Sequence, residues 1–233
     1  MAGEILNIVI LAAGKGTRLD QNKNQPKALT CLANGKTILE MQLEALAACF
    51  PLKQISVVVG FQQQEIRQLY PQLTYIENPE YAAENTAKSL LKAISSDQKD
   101  LLWLNGDVVF QPSILQKLVS FDRTCMVVNQ GEVGEEEIKY RTDGKGRILE
   151  VSKSVLHPEG EAIGMNLFKA PFVPTLKESL VNCHKSDYFE KGIELCIQKD
   201  IPVQALTIER NACIEIDFAE DLIRANELIK HWK

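Results

Sequence analysis

Lys15, Arg18 and Lys27 stand close together near the start of the sequence, and two carboxylates, Asp107 and Asp217, end apolar runs far from them. Clustered cations with nearby glycines suit the handling of phosphate. The stretch "LAAGKGTRLD" offers a flexible backbone at 12–17 whose N–H groups can turn toward a polyanion, while Lys15 and Arg18 add charge and a fork of donors. Lys27 follows Pro26, which restricts the backbone just before it. A dinucleotide fingerprint needs a third glycine where Leu19 stands, and the Walker pattern needs an earlier glycine where the chain is still an apolar run. Neither of the two best-known phosphate loops is present. The competing reading of the three cations is a solvated loop with ordinary surface charge.

The elements that must position these residues alternate between apolar strand-like runs and helical patterns, which signals βαβ units and a mainly parallel sheet. The spacing predicts strands at 5–11, 55–60, 73–77, 101–107 and 124–129, and helices ending before Pro51, near 62–70, near 85–94 and after Pro112. Around Asp143-Gly144 two short strands predict a hairpin. Strands at 162–168, 203–207 and 212–218 and helices at 172–182, 188–198 and 219–230 complete the pattern. The expected fold is α/β: a single Rossmann-like three-layer domain over 1–233, with a mainly parallel mixed sheet and a small inserted β layer around 129–160. Asp107 falls at the carboxyl end of a strand, where open parallel sheets present ligand groups. Both aspartates have a plainer reading as helix caps, since Asp107 precedes a turn and Asp217 directly precedes the last helix.

Composition excludes little beyond disorder: 45% of residues are hydrophobic and 24% charged, as in ordinary globular chains. A net charge of −5 with no Lys/Arg-rich run argues against a nucleic-acid partner. The first apolar run is too short to span a bilayer and lacks the features of a signal peptide, so a cytoplasmic protein without membrane association is expected. Six scattered cysteines with no C-x-x-C pair suggest reduced, structural thiols, and three dispersed histidines suggest no metal cluster.

The motifs "LAAGKGTRL" and "PKAL" resemble L-A-A-G-x-G-x-R-(spacer)-P-K, the signature of the sugar-phosphate and phospho-alcohol nucleotidyltransferases. "NPEYAAENTAKSL" is similar to a segment of their CTP:phosphocholine cytidylyltransferase branch, and "GEEEIKY", "LEVSK", "GEAIGMNLF" and "EIDFAEDLIRANE" resemble its later segments in order. The resemblance covers nearly the whole chain and implies the nucleotide-diphospho-sugar transferase fold. It also implies a reaction in which a phosphorylated acceptor attacks the α-phosphorus of CTP and pyrophosphate leaves. Such an acceptor is largely a dianion at neutral pH, since its second pKa is near about 6, so no strong general base is needed.

By this resemblance Asp107 and Asp217 pair on one Mg²⁺, Lys27 neutralises the transferred phosphate, Lys15 and Arg18 hold the pyrophosphate, and Lys153 lies near the acceptor phosphate. Leu11, Ala12, Ala13, Gly14, Gly16, Thr17, Asn85, Ser89 and Asp107 form the expected nucleotide site. Asn85 and Ser89 are spaced to share one helical face, and Asn85 could equally cap its helix. The acceptor site is expected from Glu136, Glu161, Tyr188 and Glu190. The Glu135–Glu137 cluster and the Tyr188/Glu190 pair suit an ammonium head such as that of phosphocholine, although such a cluster can also be a solvated loop and Tyr188 a packing residue. A sugar-1-phosphate or another small phosphate or phosphonate is the alternative acceptor, and Glu161 could contact a sugar hydroxyl. A non-catalytic nucleotide-binding domain would be expected to lack some of these carboxylates and cations. A nicotinamide-dependent enzyme would need an acidic residue where Asn34 and Gly35 stand. The resemblance suggests a role in decorating cell-surface polysaccharide or lipid; it leaves oligomeric state open.

Overall fold

A computed structural model describes residues 6–16, 18–19, 25–95 and 99–232. The chain runs through β1 (Leu6–Ala12), α1 (Ile38–Ala47), β2 (Ile55–Val59), α2 (Gln63–Leu69), β3 (Thr74–Glu77), α3 (Thr86–Ala93) and β4 (Asp100–Asn105). It continues through β5 (Val108–Phe110), α4 (Ser113–Phe121), β6 (Cys125–Val128), β7 (Lys139–Thr142), β8 (Ile148–Ser152) and β9 (Gly160–Phe168). The last elements are α5 (Val173–Asn182), α6 (Phe189–Gln198), β10 (Gln204–Thr207), β11 (Cys213–Glu215) and α7 (Ala219–Ile229).

The main sheet has the order β10-β6-β9-β4-β1-β2-β3, and β7 joins it through β9 while pairing with β8. β4, β1, β2 and β3 run parallel to one another, as β10 does to β6. β9 is antiparallel to both β4 and β6, so it wedges between two parallel groups and makes the sheet mixed.

Strand periodicity sorts the side chains of β1 into two cores. Ile8, Ile10 and Ala12 face one side with Val57, Val59, Leu102 and Leu104, under Leu39, Leu43 and Leu46 of α1, Ile66 of α2 and Leu115 and Leu118 of α4. Val9 and Leu11 face the other with Trp103, under Leu90 of α3, Leu176 and Leu180 of α5 and Ile193 of α6. Trp103 meets Phe168 and Phe189 at centroid distances of 5.4 and 5.6 Å. A strand covered on both faces reads as a continuous apolar run, which is why "LNIVILA" is visible in the sequence.

Element ends follow local chemistry. Thr37 and Glu40 form a capping box at the start of α1, with Thr37 Oγ1 accepting from the Glu40 N–H at 3.0 Å. Asp143 Oδ1 accepts from the N–H groups of Lys145 and Arg147, closing the β7–β8 hairpin at the expected turn. The run 212–218 departs from expectation: its strand β11 lies outside the main sheet, in an antiparallel ribbon with β5, a strand the sequence pattern does not separate from β4. Among the described residues no helix is long and apolar enough to cross a membrane. The six cysteines are unpaired, and Cys125, Cys183, Cys196 and Cys213 are buried as small hydrophobes.

Candidate active site

The carboxyl ends of β1 and β4 open onto a cavity of about 450 Å³. Its floor is set by a turn at 105–108. The Gly106 N–H donates to the Leu11 carbonyl at 2.9 Å, and a Cβ at Gly106 would stand 2.8 Å from that oxygen, so glycine is what lets the turn lie against the end of β1. Behind the turn, the buried Gln42 of α1 donates from Nε2 to the carbonyls of Asn105 and Val108, at 2.8 and 2.7 Å. In front of it, the β5–β11 ladder is extended by the Ile216 N–H donating to the Asp107 carbonyl at 3.0 Å. The ribbon thereby brings Asp107 and Asp217 together.

Lys27 stands between them, its Nζ donating to Asp107 Oδ2 at 2.7 Å and to Asp217 Oδ1. Burial pulls this ammonium's pKa down, but the charges and hydrogen bonds of the two aspartates outweigh burial and leave it raised. Lys27 is therefore a fixed cation at neutral pH. Arg18 Nη2 lies 3.4 Å from Asp217 Oδ2, and its guanidinium sits 5.5 Å from the Phe218 ring centroid. Neither aspartate caps a helix: α4 begins after Pro112, and at α7 it is Asp221 Oδ2 that accepts from the N–H groups of Asp217 and Phe218. Among the described residues Asp107 Oδ1 is buried without a hydrogen-bond partner, an oxygen that a divalent cation would satisfy. Among the described residues no group of three or more His, Cys, Asp and Glu gathers to hold a metal. A cation on Asp107 and Asp217 would therefore need ligands from substrate and water, which is the usual situation of Mg²⁺ beside a triphosphate.

The glycine loop closes over this pair. Gly16 has φ +59°, and a Cβ there would come within 2.7 Å of Lys27 Cβ, so the loop packs directly on the lysine stem. Leu11, Ala12, Gly14, Gly16, Arg18, Lys27, Asn85, Asp107 and Asp217 all line the cavity. Lys15 is exposed and outside the lining, Ala13 is buried with its carbonyl accepting from the Phe61 N–H at 3.0 Å, and Thr17 lies outside the described residues. Ser89 is a correction: it does not share a ligand face with Asn85 but is buried, its hydroxyl accepting from Asn78 Nδ2 at 3.0 Å. Asn85 is the N-cap of α3 with extended backbone, so helical periodicity does not extend back through it. Its Oδ1 accepts from the Thr86 N–H at 2.8 Å and its Nδ2 donates to the Ser186 carbonyl at 3.2 Å, so its side chain caps the helix while still bordering the cavity.

The far end of the cavity gathers Glu136, Lys153, Glu161, Tyr188 and Glu190. Lys153 Nζ donates to Glu136 Oε2 at 3.0 Å and stands 5.2 Å from the Tyr188 ring centroid. Glu136 and Glu137 line the cavity, and Arg210 donates to the Glu132 carbonyl at 3.0 Å, pinning the loop that carries them. Glu161 Oε1 accepts from Asn129 Nδ2 at 2.6 Å. Glu190, in the first turn of α6, is buried, and burial pushes its carboxyl up to about 7 against the opposing pull of its own N–H and of Lys153. Glu215, Asn129, Arg210 and Arg224 also line the cavity and were not anticipated. Glu215 could have been found, because it precedes Asp217 by two residues in an extended run and shares its face. Its half-buried carboxyl accepts from Asn105 Nδ2 at 3.2 Å and is held well above the usual range by desolvation and then by the charges of Asp107 and Asp217.

Residues 8–175 match the model of the MobA-like NTP transferase domain. The chain belongs to that family. Among curated relatives it is 26% identical over 194 residues to a 2-aminoethylphosphonate cytidylyltransferase of Lancefieldella rimae, covering 81% of this chain and 77% of that one. It is 34% identical over 119 residues to a CMP-5'-(3-aminopropyl)phosphonate synthase of Streptomyces rubellomurinus, covering 48% of this chain and 19% of that protein. It is also 36% identical over 121 residues to the bifunctional protein GlmU of Acaryochloris marina, covering 50% of this chain and 26% of GlmU. The chain thus spans only about a quarter or less of the last two proteins. Of solved structures, the CTP:phosphocholine cytidylyltransferase of Streptococcus pneumoniae superposes with a TM-score of 0.78 at 20% identity, covering 97% of this chain and 99% of that one. The inositol-1-phosphate CTP transferase of T. maritima gives 0.79 at 19%, covering 99% and 97%. The fold is the α/β nucleotide-diphospho-sugar transferase fold of these neighbours.

Proposed function

We propose that the chain is a Mg²⁺-dependent cytidylyltransferase that joins CMP from CTP to a small acceptor bearing both a phosphate or phosphonate and an amine, phosphocholine being one member of that class, and releases pyrophosphate. The observation that carries this reading is the Lys27 ammonium gripped by Asp107 and Asp217 beneath the Gly14–Gly16 loop. Phosphoryl transfer of this type needs placement and charge neutralisation more than covalent help. Lys27, kept protonated, would neutralise the transferred phosphate, while Arg18 and the exposed Lys15 would hold the pyrophosphate as it leaves. Mg²⁺ bound by Asp107 and Asp217 would supply further charge neutralisation at the α-phosphate. The acceptor's phosphate would meet Lys153. Its ammonium would meet Glu136, Glu190 and the Tyr188 ring, which lie together at the far end. The two relatives named for aminophosphonate cytidylyl chemistry support the same acceptor class.

A sugar-1-phosphate acceptor is the second reading, favoured by Glu161 being held in the cavity by Asn129 and by the GlmU relatives. The test is Mg²⁺-dependent pyrophosphate release with each common nucleoside triphosphate against phosphocholine, phosphoethanolamine, 2-aminoethylphosphonate, glycerol phosphate and several sugar-1-phosphates. Turnover with CTP and an amine acceptor is expected, with Asp107→Ala lowering it by about 10³-fold or more. Turnover confined to sugar-1-phosphates would overturn the acceptor assignment, and no turnover with any pair would favour a non-catalytic nucleotide-binding domain.

A further inference from the structure

Gln42 is 1% exposed and lies on the inner face of α1, away from the cavity lining. A glutamine in that position needs partners, and both hydrogens of its amide are used on one short turn: Nε2 donates to the Asn105 and Val108 carbonyls, which flank Gly106 and Asp107. Because both partners are acceptors, the amide orientation is fixed by chemistry. Among the described residues Gln42 Oε1 is buried with no hydrogen-bond partner, so the hydrogen bonds seen for this side chain all go to the turn.

The same helix also anchors the segment that bears the other half of the ion pair. Lys27 sits on a single 3-10 turn over Lys27–Leu29, and the first N–H of α1, at Ile38, donates to the Thr30 carbonyl at 3.1 Å. α1 is therefore the common base for Lys27 on one side and, through Gln42, for Asp107 on the other. The clamp reaches further still, because Asn105, whose carbonyl Gln42 holds, donates from Nδ2 to Glu215 on the strand that leads to Asp217.

We infer that Gln42 is a positioning residue for the reaction, a buried clamp on helix α1 that fixes the 105–108 turn so that Asp107 meets Lys27 and faces the cavity. The inference rests on the proposed nucleotidyl transfer, but the clamp itself has a consequence independent of turnover. With the two amide donors gone, the turn loses its hold on α1 and becomes locally mobile, while helix and sheet remain packed. A displacement of about 1 Å in a reacting group costs about 100-fold in rate, so the chemical step is expected to suffer much more than substrate binding.

The experiment compares wild type with Gln42→Met, which keeps the length and burial of the side chain but removes both donors. Gln42→Leu is read in the same way if the methionine variant does not fold. Amide hydrogen exchange of the peptide spanning 105–108 is measured well below the unfolding temperature, alongside kcat and KM for the best substrate pair. Faster exchange confined to that turn, with kcat lowered by about 10- to 100-fold and both KM values within about threefold, is the expected result. Exchange at the turn unchanged, or raised equally across all peptides, overturns the clamp. Faster local exchange with kcat unchanged overturns the positioning role. If the wild-type protein turns over no substrate pair, the nucleotidyl-transfer reading fails and the positioning role with it, and the exchange measurement still decides whether the clamp exists.

Discussion

Glu190 shows how a single residue couples the far end of the cavity to stability. Its carboxyl is buried at the start of α6 and feels the charge of Lys153, while its own charge acts on Glu215. With a folded pKa of about 7 against an ordinary value of 4.5, the folded protein holds this proton more tightly than the unfolded chain does. Below pH 4.5 both states are protonated and the group costs nothing. As pH rises toward 7 the unfolded chain ionises first, and stability falls by an amount on the order of 3 kcal/mol, then stays level once the folded state ionises too. Glu190→Gln should therefore raise the melting temperature clearly at pH 8 and hardly at pH 4, a difference that thermal unfolding at the two pH values would reveal. Burial disfavours the charged form, so at neutral pH the residue is only about half ionised in the folded protein.

Among the elements, the β5–β11 ribbon and the start of α7 do the most for the site. Asp221 of α7 takes both backbone N–H groups at 217 and 218, leaving the Asp217 carboxylate for Lys27 and Arg18. Asp221→Ala should cost about 1 kcal/mol through the lost cap and lower kcat while the rest of the fold holds, as paired denaturant unfolding and kinetics would show. These same elements mark where sequence reading stops. The long parallel strands are legible because burial on both faces forces continuous apolar runs, and Asp107 is legible because it ends one of them. The meeting of Asp107 with Asp217 is legible only through the family resemblance and not from the pattern itself, because it depends on two three-residue strands, too short for any periodicity to register. Ser89 is misread for a different reason: helical spacing says which residues share a face but not which way the face turns, and Asn85 is not part of the helix at all. Gln42 is silent in sequence because a lone glutamine among leucines looks like the edge of an amphipathic face. Only the packed turn behind it reveals two carbonyls waiting for its amide.

Across the whole molecule, the proposed nucleotide end and the proposed acceptor end of the cavity are built from different material. The first rests on β1, β4 and the β5–β11 ribbon, the second on β9, α6 and the β7–β8 hairpin. The hairpin is rooted by Tyr140, Ile148 and Val151, all fully buried, and by a short ladder in which Lys139 opposes Glu161 and Tyr140 opposes Gly160. Replacing residues 129–160 by the matching stretch of a relative with a different acceptor, while retaining those three anchors, should change the ranking of kcat/KM among acceptors and leave the CTP preference alone. The substrate panel above reads both. The wedge strand β9 carries a broader consequence. It is hydrogen-bonded on one edge to β4 and on the other to β6, so the hairpin that pairs with it can be exchanged without unpairing the parallel strands. Substitutions on the hairpin leave the residues that hold Lys27, Asp107 and Asp217, on other strands, unchanged. A protein divided in this way can acquire new acceptors by gradual drift while its triphosphate chemistry stays in place.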